Sequence, residues 1–361
     1  MTTTQTRATT GVPATMRAGV LRDFGDLAVE EVPTPDLGPG EVLIRVRACG
    51  LCGTDLKLVS GGFAGRWPPS LPFIIGHEWS GEVVALGEGV DDGRLAVGDR
   101  VVAENHVGCG RCPNCRAGRY NLCERAGTPG YKLYGHTAQG ALAEYAVREA
   151  VMVHPIPDSV SFEAAALINQ GSLTVHAFRR MGFQAGGTVA IFGPGLLGLL
   201  SAAVARASGA SQIVMVGRGE RLDLAGRMGC DAVVDYERQD PVEGVRALTG
   251  GRGATYVLDC TGNPSVPGQA LEVVRRGGKL ALLGLTGGKL AEIAEDRLVL
   301  DEIDLLGIRS SPNAYPAMIA LLGTGAIDLA PLVDDLYPLE QVGAAFTALE
   351  QRTAIRPIIT L

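Results

Sequence analysis

The sequence is poor in aromatic residues, in histidine and in basic residues, and the shortage of basic residues limits the partners that the protein can bind. Aromatic residues make up 5% of the 361, histidine occurs five times, and 32 Lys and Arg are outnumbered by 39 Asp and Glu, giving a net charge of -7. Nucleic acids and anionic membranes attract basic surfaces, so this balance argues against either partner. The longest apolar run, from Val189, is interrupted by Gly-Pro-Gly and is too short to span a membrane.

A second shortage lies at the start of the chain, where an apolar signal-peptide core is missing. Residues 1–15, MTTTQTRATTGVPAT, are rich in threonine, so we expect a disordered tail there. Without an export signal we expect a cytoplasmic protein. A reducing compartment argues against disulfides among the eight cysteines.

The length predicts two domains, because one hydrophobic core stops growing below this size. Residues 16–164 contain short alternating strands broken by Gly, Pro and Asp, which is typical of an irregular β-rich domain. Residues 165–310 alternate six apolar strands with helices, which predicts an α/β fold with a doubly wound parallel sheet. We expect residues 311–361, ending in the strand-like IRPIITL, to return to the first domain.

A glycine-rich loop follows the first strand of this second region. TVAIF leads into GPGLLG, in which Gly193 permits a tight turn, Gly195 lets the backbone approach a pyrophosphate and Gly198 lets the helix pack closely. The helix N-terminus, at Leu196 and Leu197, attracts the anion. A glycine-rich turn without a ligand is the alternative. The strand-to-helix setting favours dinucleotide binding.

The next strand points to the nucleotide that is bound. An NAD-binding strand of this kind ends in an acidic residue that binds the ribose, but here Gly217 holds that position and Arg218 follows. Arginine can grip a 2′-phosphate with two hydrogen bonds, which favours NADP, with NAD as the alternative. Arg221 is either a second contact or an exposed helix charge. Replacing Gly217 by Asp is expected to shift the preference towards NAD.

The cysteines are concentrated in CGRCPNCRAGRYNLC, residues 109–123. Four thiolates complete the tetrahedral coordination of zinc and leave no position for a substrate, which indicates a structural zinc site; iron–sulfur ligation is the minor alternative. The four cysteines are Cys109, Cys112, Cys115 and Cys123. A reacting zinc needs an open position, and Cys52 with His77, 25 residues apart, are the candidates.

Five motifs in this order resemble the zinc-dependent medium-chain dehydrogenase/reductase family, which includes alcohol, polyol and threonine dehydrogenases. They are CGTD at 52–55, GHE at 76–78, GDRV at 98–101, the four-cysteine segment and the GxGxxG loop. The resemblance extends from about Met16 to the C-terminus. It implies a GroES-like catalytic domain beside a Rossmann domain, with one catalytic and one structural zinc per chain in a homodimer or homotetramer.

The resemblance also implies roles for residues near Cys52. Cys52 and His77 correspond to catalytic zinc ligands, and Glu78 to a carboxylate that binds the metal or lies just behind its ligands. Thr54 corresponds to the hydroxyl that takes the substrate proton. Asp55 corresponds to a residue that orients the ligands.

Other positions agree less closely with the family pattern. Where relatives supply a further zinc ligand, Cys, Asp or Glu, this chain reads LINQG. We expect Asn169 or Gln170 to bind the zinc-bound water. The alternative is that Asn169 binds the zinc as a weak ligand. Lys57 replaces a common histidine of the proton relay, and a solvated lysine is the alternative. His106 either lines the substrate pocket or is an ordinary loop histidine. Arg356 either reaches the cofactor pyrophosphate or is a surface charge.

Together these features predict a zinc-dependent, NAD(P)-dependent oxidoreductase that interconverts a small alcohol and its carbonyl compound. The metal polarises the oxygen, Thr54 accepts the proton and hydride passes to the nicotinamide. One alternative is a non-catalytic NADP-binding sensor or scaffold, which the Asn169 departure favours. Another is a zinc-independent quinone or enoyl reductase, although such proteins usually lack the cysteine cluster and the Cys/His pair.

Overall fold

The computed structural model describes residues 11–90, 93–128, 130–333 and 335–361, so most of the expected tail, residues 1–10, lies outside the described residues. The chain forms two compact units, one of residues up to Asn169 with Leu332–Leu361 and one of Gln170–Pro331. Within the described residues, no helix is long and apolar enough to cross a membrane.

The strands, in chain order, are β1 (Thr15–Asp23), β2 (Asp26–Pro33), β3 (Glu41–Gly50), β4 (Phe73–Ile74), β5 (Glu78–Leu86), β6 (Arg100–Ala103), β7 (His106–Val107), β8 (Lys132–Leu133), β9 (Tyr145–Glu149), β10 (Val153–Pro155), β11 (Thr188–Phe192), β12 (Gln212–Gly217), β13 (Ala232–Asp235), β14 (Ala254–Asp259), β15 (Val274–Leu282), β16 (Asp304–Gly307), β17 (Leu336–Pro338) and β18 (Ile358–Thr360).

The α-helices are α1 (Gly53–Val59), α2 (Pro113–Arg116), α3 (Phe162–Ala166), α4 (Ile168–Arg180), α5 (Leu196–Ala207), α6 (Asp223–Arg227), α7 (Pro241–Leu248), α8 (Val266–Glu272), α9 (Glu295–Leu300), α10 (Tyr315–Gly323) and α11 (Val342–Gln351).

The first unit is built on antiparallel sheets. Its largest sheet has the order β10-β6-β5-β3-β18-β17, with β9 also pairing β3; a smaller sheet has the order β2-β1-β4, and β7 pairs β8. The alternating pattern of β3 buries Val42, Ile44 and Val46 in the core of this unit. The C-terminal strand β18 runs antiparallel to β3, so residues far apart in the sequence share one edge of the site.

The second unit is a parallel sheet of order β13-β12-β11-β14-β15-β16, with helices between the strands. This order is that of a doubly wound dinucleotide-binding fold. Successive strands are added on one side of β11 as far as β13, and β14 then begins the other side. The predicted six-stranded α/β sheet is therefore confirmed. Its central strands β11, β12 and β14 are buried on both faces, as the middle strands of a doubly covered parallel sheet require.

Two local details differ from the sequence expectations. Arg221, whose alternative role was that of an exposed charge on an α-helix, lies in a single 3₁₀ turn, Glu220–Leu222, and α6 begins only at Asp223. The second unit also extends past residue 310: the ideal Cβ of a side chain at Gly171 would lie 2.7 Å from the Met318 methyl, so α10 packs closely on α4 within that unit.

Candidate active site and zinc centres

Cys52 and His77 meet in a buried position of the first unit. The Cys52 sulfur lies 3.3 Å from His77 Nε2, and the two residues are 4% and 6% exposed. Cys52 is the N-cap of α1: its sulfur accepts the Thr54 N–H at 3.2 Å, and its own N–H donates to Asp55 at 2.9 Å. This capping box fixes the thiol before any metal binds.

Asp55 holds the other side of the His77 ring. Its Oδ1 lies 3.4 Å from His77 Nδ1, and its side chain is fully buried. Burial raises the pKa of Asp55, but the charge and hydrogen bond of His77 lower it by more. Burial lowers the pKa of His77, but the Cys52 sulfur and the Asp55 carboxylate raise it by more, so this pKa lies well above its ordinary value. Asp55 therefore orients the ring and leaves Nε2 to face the thiol.

Glu78 lies on the Nε2 side of the ring, with Oε1 at 3.7 Å from that nitrogen. Its Oε2 lies 3.4 Å from Nε of Arg356, and Arg356 also donates to the Leu51 carbonyl at 2.8 Å. Arg356 is 7% exposed, so it is not a surface charge. Its contact with a cofactor pyrophosphate stays a prediction.

Sulfur, imidazole and carboxylate donors from Cys52, His77 and Glu78 are ligands that zinc accepts. The ligand atoms of Cys52, Asp55 and His77 lie within 4.8 Å of one another, a spacing that one ion can bridge. Because Asp55 faces Nδ1 and Glu78 faces Nε2, Glu78 is the better third ligand by geometry.

The remaining predicted residues of this region make contacts of their own. Asn169 donates its side-chain amide to the His77 carbonyl at 3.4 Å, which brings it to the ligand segment. Thr54, at the start of α1, is partly exposed. The ammonium of Lys57 lies 6.0 Å from the ring centre of Phe63. His106 bonds Asn105 at 2.9 Å and contacts the ring of Tyr131.

Sequence reasoning missed His136, which carries no motif. Its ring centre lies 4.7 Å from that of His77 and 5.1 Å from that of Trp67. Phe63 extends the row, with its ring centre 5.1 Å from that of Trp67. We call Phe63, Trp67 and His136 the aromatic wall; it lies beside the candidate zinc ligand His77. His136 lies in the loop that follows β8, and the pairing of β8 with β7 positions that loop.

The four-cysteine segment folds around a single point. The sulfur atoms of Cys109, Cys112, Cys115 and Cys123 all lie within 4.8 Å of one another. Cys112 caps α2, and the backbone N–H groups of Arg111 and Cys112 lower the pKa of Cys109 to about 6. The cysteines are free thiols, so the cluster is not a disulfide knot. Four converging sulfurs fit a closed tetrahedral zinc site.

The glycine loop has the geometry that its sequence predicts. Gly193 has a positive φ of 100°, and a Cβ at Gly198 would lie 1.9 Å from the Gly193 carbonyl oxygen, so only glycine fits there. Helix α5 begins at Leu196 with Gly195 as its N-cap. Its first N–H groups, including that of Leu197, have no partner within the helix and can bind an anion.

The end of β12 departs from one expectation. A Cβ at Gly217 would lie 2.4 Å from Pro194, so the change Gly217→Asp would disturb the glycine loop and is the wrong test of nucleotide preference. Arg218 forms an ion pair with Glu237 at 2.8 Å, and both side chains are more than half exposed. Arg221 lies in the 3₁₀ turn that follows.

The first unit contains a buried set of side chains that can bind zinc, and the second contains a dinucleotide-binding loop. Together these features define a zinc-dependent dehydrogenase. Residues 38–158 match the family model of the alcohol dehydrogenase GroES-like domain, and residues 197–324 match that of the zinc-binding dehydrogenases. The chain belongs to the zinc-dependent medium-chain dehydrogenase/reductase family. It is an oxidoreductase of the alcohol dehydrogenase type, as the motifs predicted.

Its relatives include polyol and threonine dehydrogenases. Sorbitol dehydrogenase of Bacillus subtilis is 40% identical, with 91% of this chain and 92% of that protein covered. L-threonine 3-dehydrogenase of Symbiobacterium thermophilum is 38% identical, with 92% and 93% covered. Among solved structures, a zinc-binding dehydrogenase of Sinorhizobium meliloti bound to NADP has a TM-score of 0.89 at 30% identity, with 97% and 100% covered.

The two candidate zinc sites should respond differently to loss of a thiol. The change Cys112→Ser is expected to remove about one zinc per chain and to lower the melting temperature, because a closed site contributes folding energy. The change Cys52→Ser should remove the other zinc and abolish turnover. Elemental analysis and calorimetry measure both effects. Cys230→Ser is the matched control and should change neither; retention of both zincs in Cys112→Ser would contradict the assignment.

Proposed function

We propose that this enzyme interconverts a secondary alcohol or polyol and its ketone or aldehyde, with NADP preferred over NAD. The observation that carries the proposal is that the Cys52 sulfur and the Glu78 carboxylate both approach Nε2 of His77, at 3.3 and 3.7 Å, with Thr54 on the helix that Cys52 caps. The names of relatives that act on sorbitol support the choice of substrate, and Arg218 after the end of β12 supports the choice of nucleotide.

The protein residues would divide the work between metal binding, proton transfer and positioning. Zinc held by Cys52, His77 and Glu78 supplies a Lewis acid that makes the substrate hydroxyl more acidic. The Thr54 hydroxyl accepts the substrate proton and passes it towards solvent, with Lys57 as a later station. Asn169 holds the His77 segment in place through its carbonyl bond. NADP supplies the hydride acceptor.

The aromatic wall would select the substrate next to these groups. Trp67 and Phe63 offer apolar faces, while the imidazole of His136 offers a polar edge beside His77. A polyol presents both a carbon face and several hydroxyls, so it can use both kinds of surface. His106 remains a predicted pocket residue.

For the nucleotide, Arg218 is the proposed partner of the 2′-phosphate, with Arg221 as a second contact. Glu237 holds Arg218 now, but an ion pair between exposed side chains is weak and readily exchanged. A phosphate offers Arg218 a partner of higher charge. Gly195 and the N–H groups at the start of α5 would bind the pyrophosphate, with Gly193 and Gly198 giving the loop its tight shape.

We also propose a cytoplasmic homodimer or homotetramer. Strand β16 forms one edge of its sheet, and Leu290, Val299 and Leu300 are at least 69% exposed in the same unit. Exposed apolar side chains near a free strand edge favour association with another copy. Light scattering of the purified chain measures this directly; a monomer at micromolar concentration would contradict it.

The test of the reaction is a panel of secondary alcohols and polyols, assayed with NADP and with NAD. Turnover is expected with at least one polyol. Thr54→Ala should lower kcat by about a hundredfold or more, since a positioned proton acceptor contributes on that order, while Thr54→Ser should retain most activity. NADP binding without turnover of any alcohol would instead favour the sensor or scaffold, the function that the Asn169 departure suggests.

Nucleotide preference is tested by two substitutions that are expected to change NADP affinity in opposite directions. Arg218→Ala is expected to weaken NADP about tenfold or more and to leave NAD nearly unchanged, because it removes a charge-assisted contact to the 2′-phosphate. Glu237→Gln should strengthen NADP a few-fold by releasing Arg218. Dissociation constants from calorimetry measure both. Equal losses for the two nucleotides in Arg218→Ala would show that this residue does not select the phosphate.

A further inference from the structure

A cavity of about 240 Å³ lies at the edge of the parallel sheet opposite the glycine loop. Its lining includes Thr188 and Gln212, the first residues of β11 and β12, and Gly253, the residue before β14. These strands are parallel neighbours, so their first residues share one edge of the sheet. The glycine loop follows the other end of β11, and a strand of five residues spans about 13 Å. The cavity is therefore separate from the dinucleotide-binding loop.

A well-anchored loop, residues 248–253, forms one side of this cavity and connects α7 to β14. The Thr249 hydroxyl donates to the Val245 carbonyl at 2.8 Å and accepts the N–H of Gly253 at 3.1 Å. The side-chain amide of Gln212 donates to the carbonyl of the first loop residue at 3.0 Å. These bonds tie the loop to α7 and β12, so the backbone of this side of the cavity is held in place.

Two arginines line the cavity, and no acidic residue of the described chain does. Arg252 lies in the loop, and Arg275 lies on β15 where its register with β14 shifts. Both residues are exposed, and within the described residues neither guanidinium forms a hydrogen bond or an ion pair. The next residue, Arg276, does not line the cavity and pairs with Asp301 at 2.9 Å. The cavity thus has excess positive charge in a chain of net charge -7.

The available donors suit a phosphate group. They are the two guanidinium groups and the hydroxyl of Thr188, which forms no hydrogen bond with another described residue. A phosphate monoester carries about -1.5 to -2 charges at neutral pH and three acceptor oxygens, so it can neutralise both arginines at once. A monocarboxylate would neutralise only one. Because a water molecule occupies about 30 Å³ in the liquid, the cavity also has room for a short carbon chain beside the phosphate.

We propose that this cavity binds the phosphate group of a small phosphate monoester between Arg252 and Arg275. In the described part of the chain, its lining includes no residue of the glycine loop and no candidate zinc ligand. It is therefore a further ligand site within the second unit, and it does not depend on the proposed alcohol reaction. The bound phosphate would join the loop before β14 to β15 and stabilise this edge of the sheet.

The test is calorimetric titration of the zinc-loaded full chain with glycerol phosphate in 0.15 M salt. One molecule per chain is expected to bind with a Kd below about 10 mM, inorganic phosphate no more tightly, and glycerol at least about tenfold more weakly. Arg252→Gln and Arg275→Gln should each weaken glycerol phosphate about tenfold or more, because each removes a charge-assisted contact. Arg276→Gln is the matched control: it removes a neighbouring charge outside the cavity and should leave the affinity unchanged.

Two further measurements separate this site from the glycine loop and from effects on folding. Saturating NADP occupies the glycine loop and should leave glycerol phosphate binding unchanged. Thr188→Glu keeps both arginines but adds a negative charge to the cavity, and should abolish binding even if an arginine variant fails to fold.

Four results would overturn the proposal. They are no saturable binding to the unmodified chain, unchanged affinity in the arginine variants or in Thr188→Glu, an equal loss in Arg276→Gln, and tighter binding of inorganic phosphate than of glycerol phosphate. Displacement of glycerol phosphate by NADP would also overturn it, because that result would place the phosphate on the glycine loop.

Discussion

The antiparallel register of β3 fixes the site, and most of the chemistry depends on it. Gly50, the last residue of β3, pairs with Glu78 on one side and with Ile358 on the other. Cys52 follows Gly50 by two residues, and His77 precedes Glu78 by one. The same pairing that builds the sheet therefore brings the thiol, the imidazole and the carboxylate together. A slip of one residue in this pairing would turn the Glu78 side chain to the opposite face of the sheet and shift the segments that carry Cys52 and His77.

Buried charge in the first unit is organised by pairs. Asp55 faces His77, and Glu78 faces Arg356, so each buried carboxylate has a cationic or ring nitrogen within 3.4 Å. These pairs make the anionic donor set tolerable inside the protein, where an unpaired carboxylate would be costly. Arg148 differs because its faces rest on aromatic rings while its fork has no acidic partner. The aromatic rings therefore stabilise this buried charge where a carboxylate does not.

The sequence predicted the fold class well, because strand patterns and the GxGxxG loop are local signals. The strand TVAIF was predicted at the residues that β11 occupies, and the spacing of the four cysteines already implied convergence. The positions of His136 and Arg148 could not be predicted in this way. His136 reaches His77 through a loop 59 residues further along the chain, and a single charged residue on a strand is ordinarily read as exposed. Glu237 lies opposite Arg218 because β12 and β13 end side by side, and no local sequence pattern reveals which strands are neighbours.

The four-cysteine cluster is more closely connected to the reaction than its closed coordination suggests. Trp67 packs against the core of this lobe, which includes Cys123 and Leu133. The same Trp67 contacts His136, and His136 contacts His77. Because packed side chains transmit displacement, a lobe that loses its metal would loosen the aromatic wall before it disturbs the zinc ligands themselves. Through packing, the lobe thus reaches the aromatic wall beside His77, while the register of β3 and β5 positions the candidate zinc ligands independently of it.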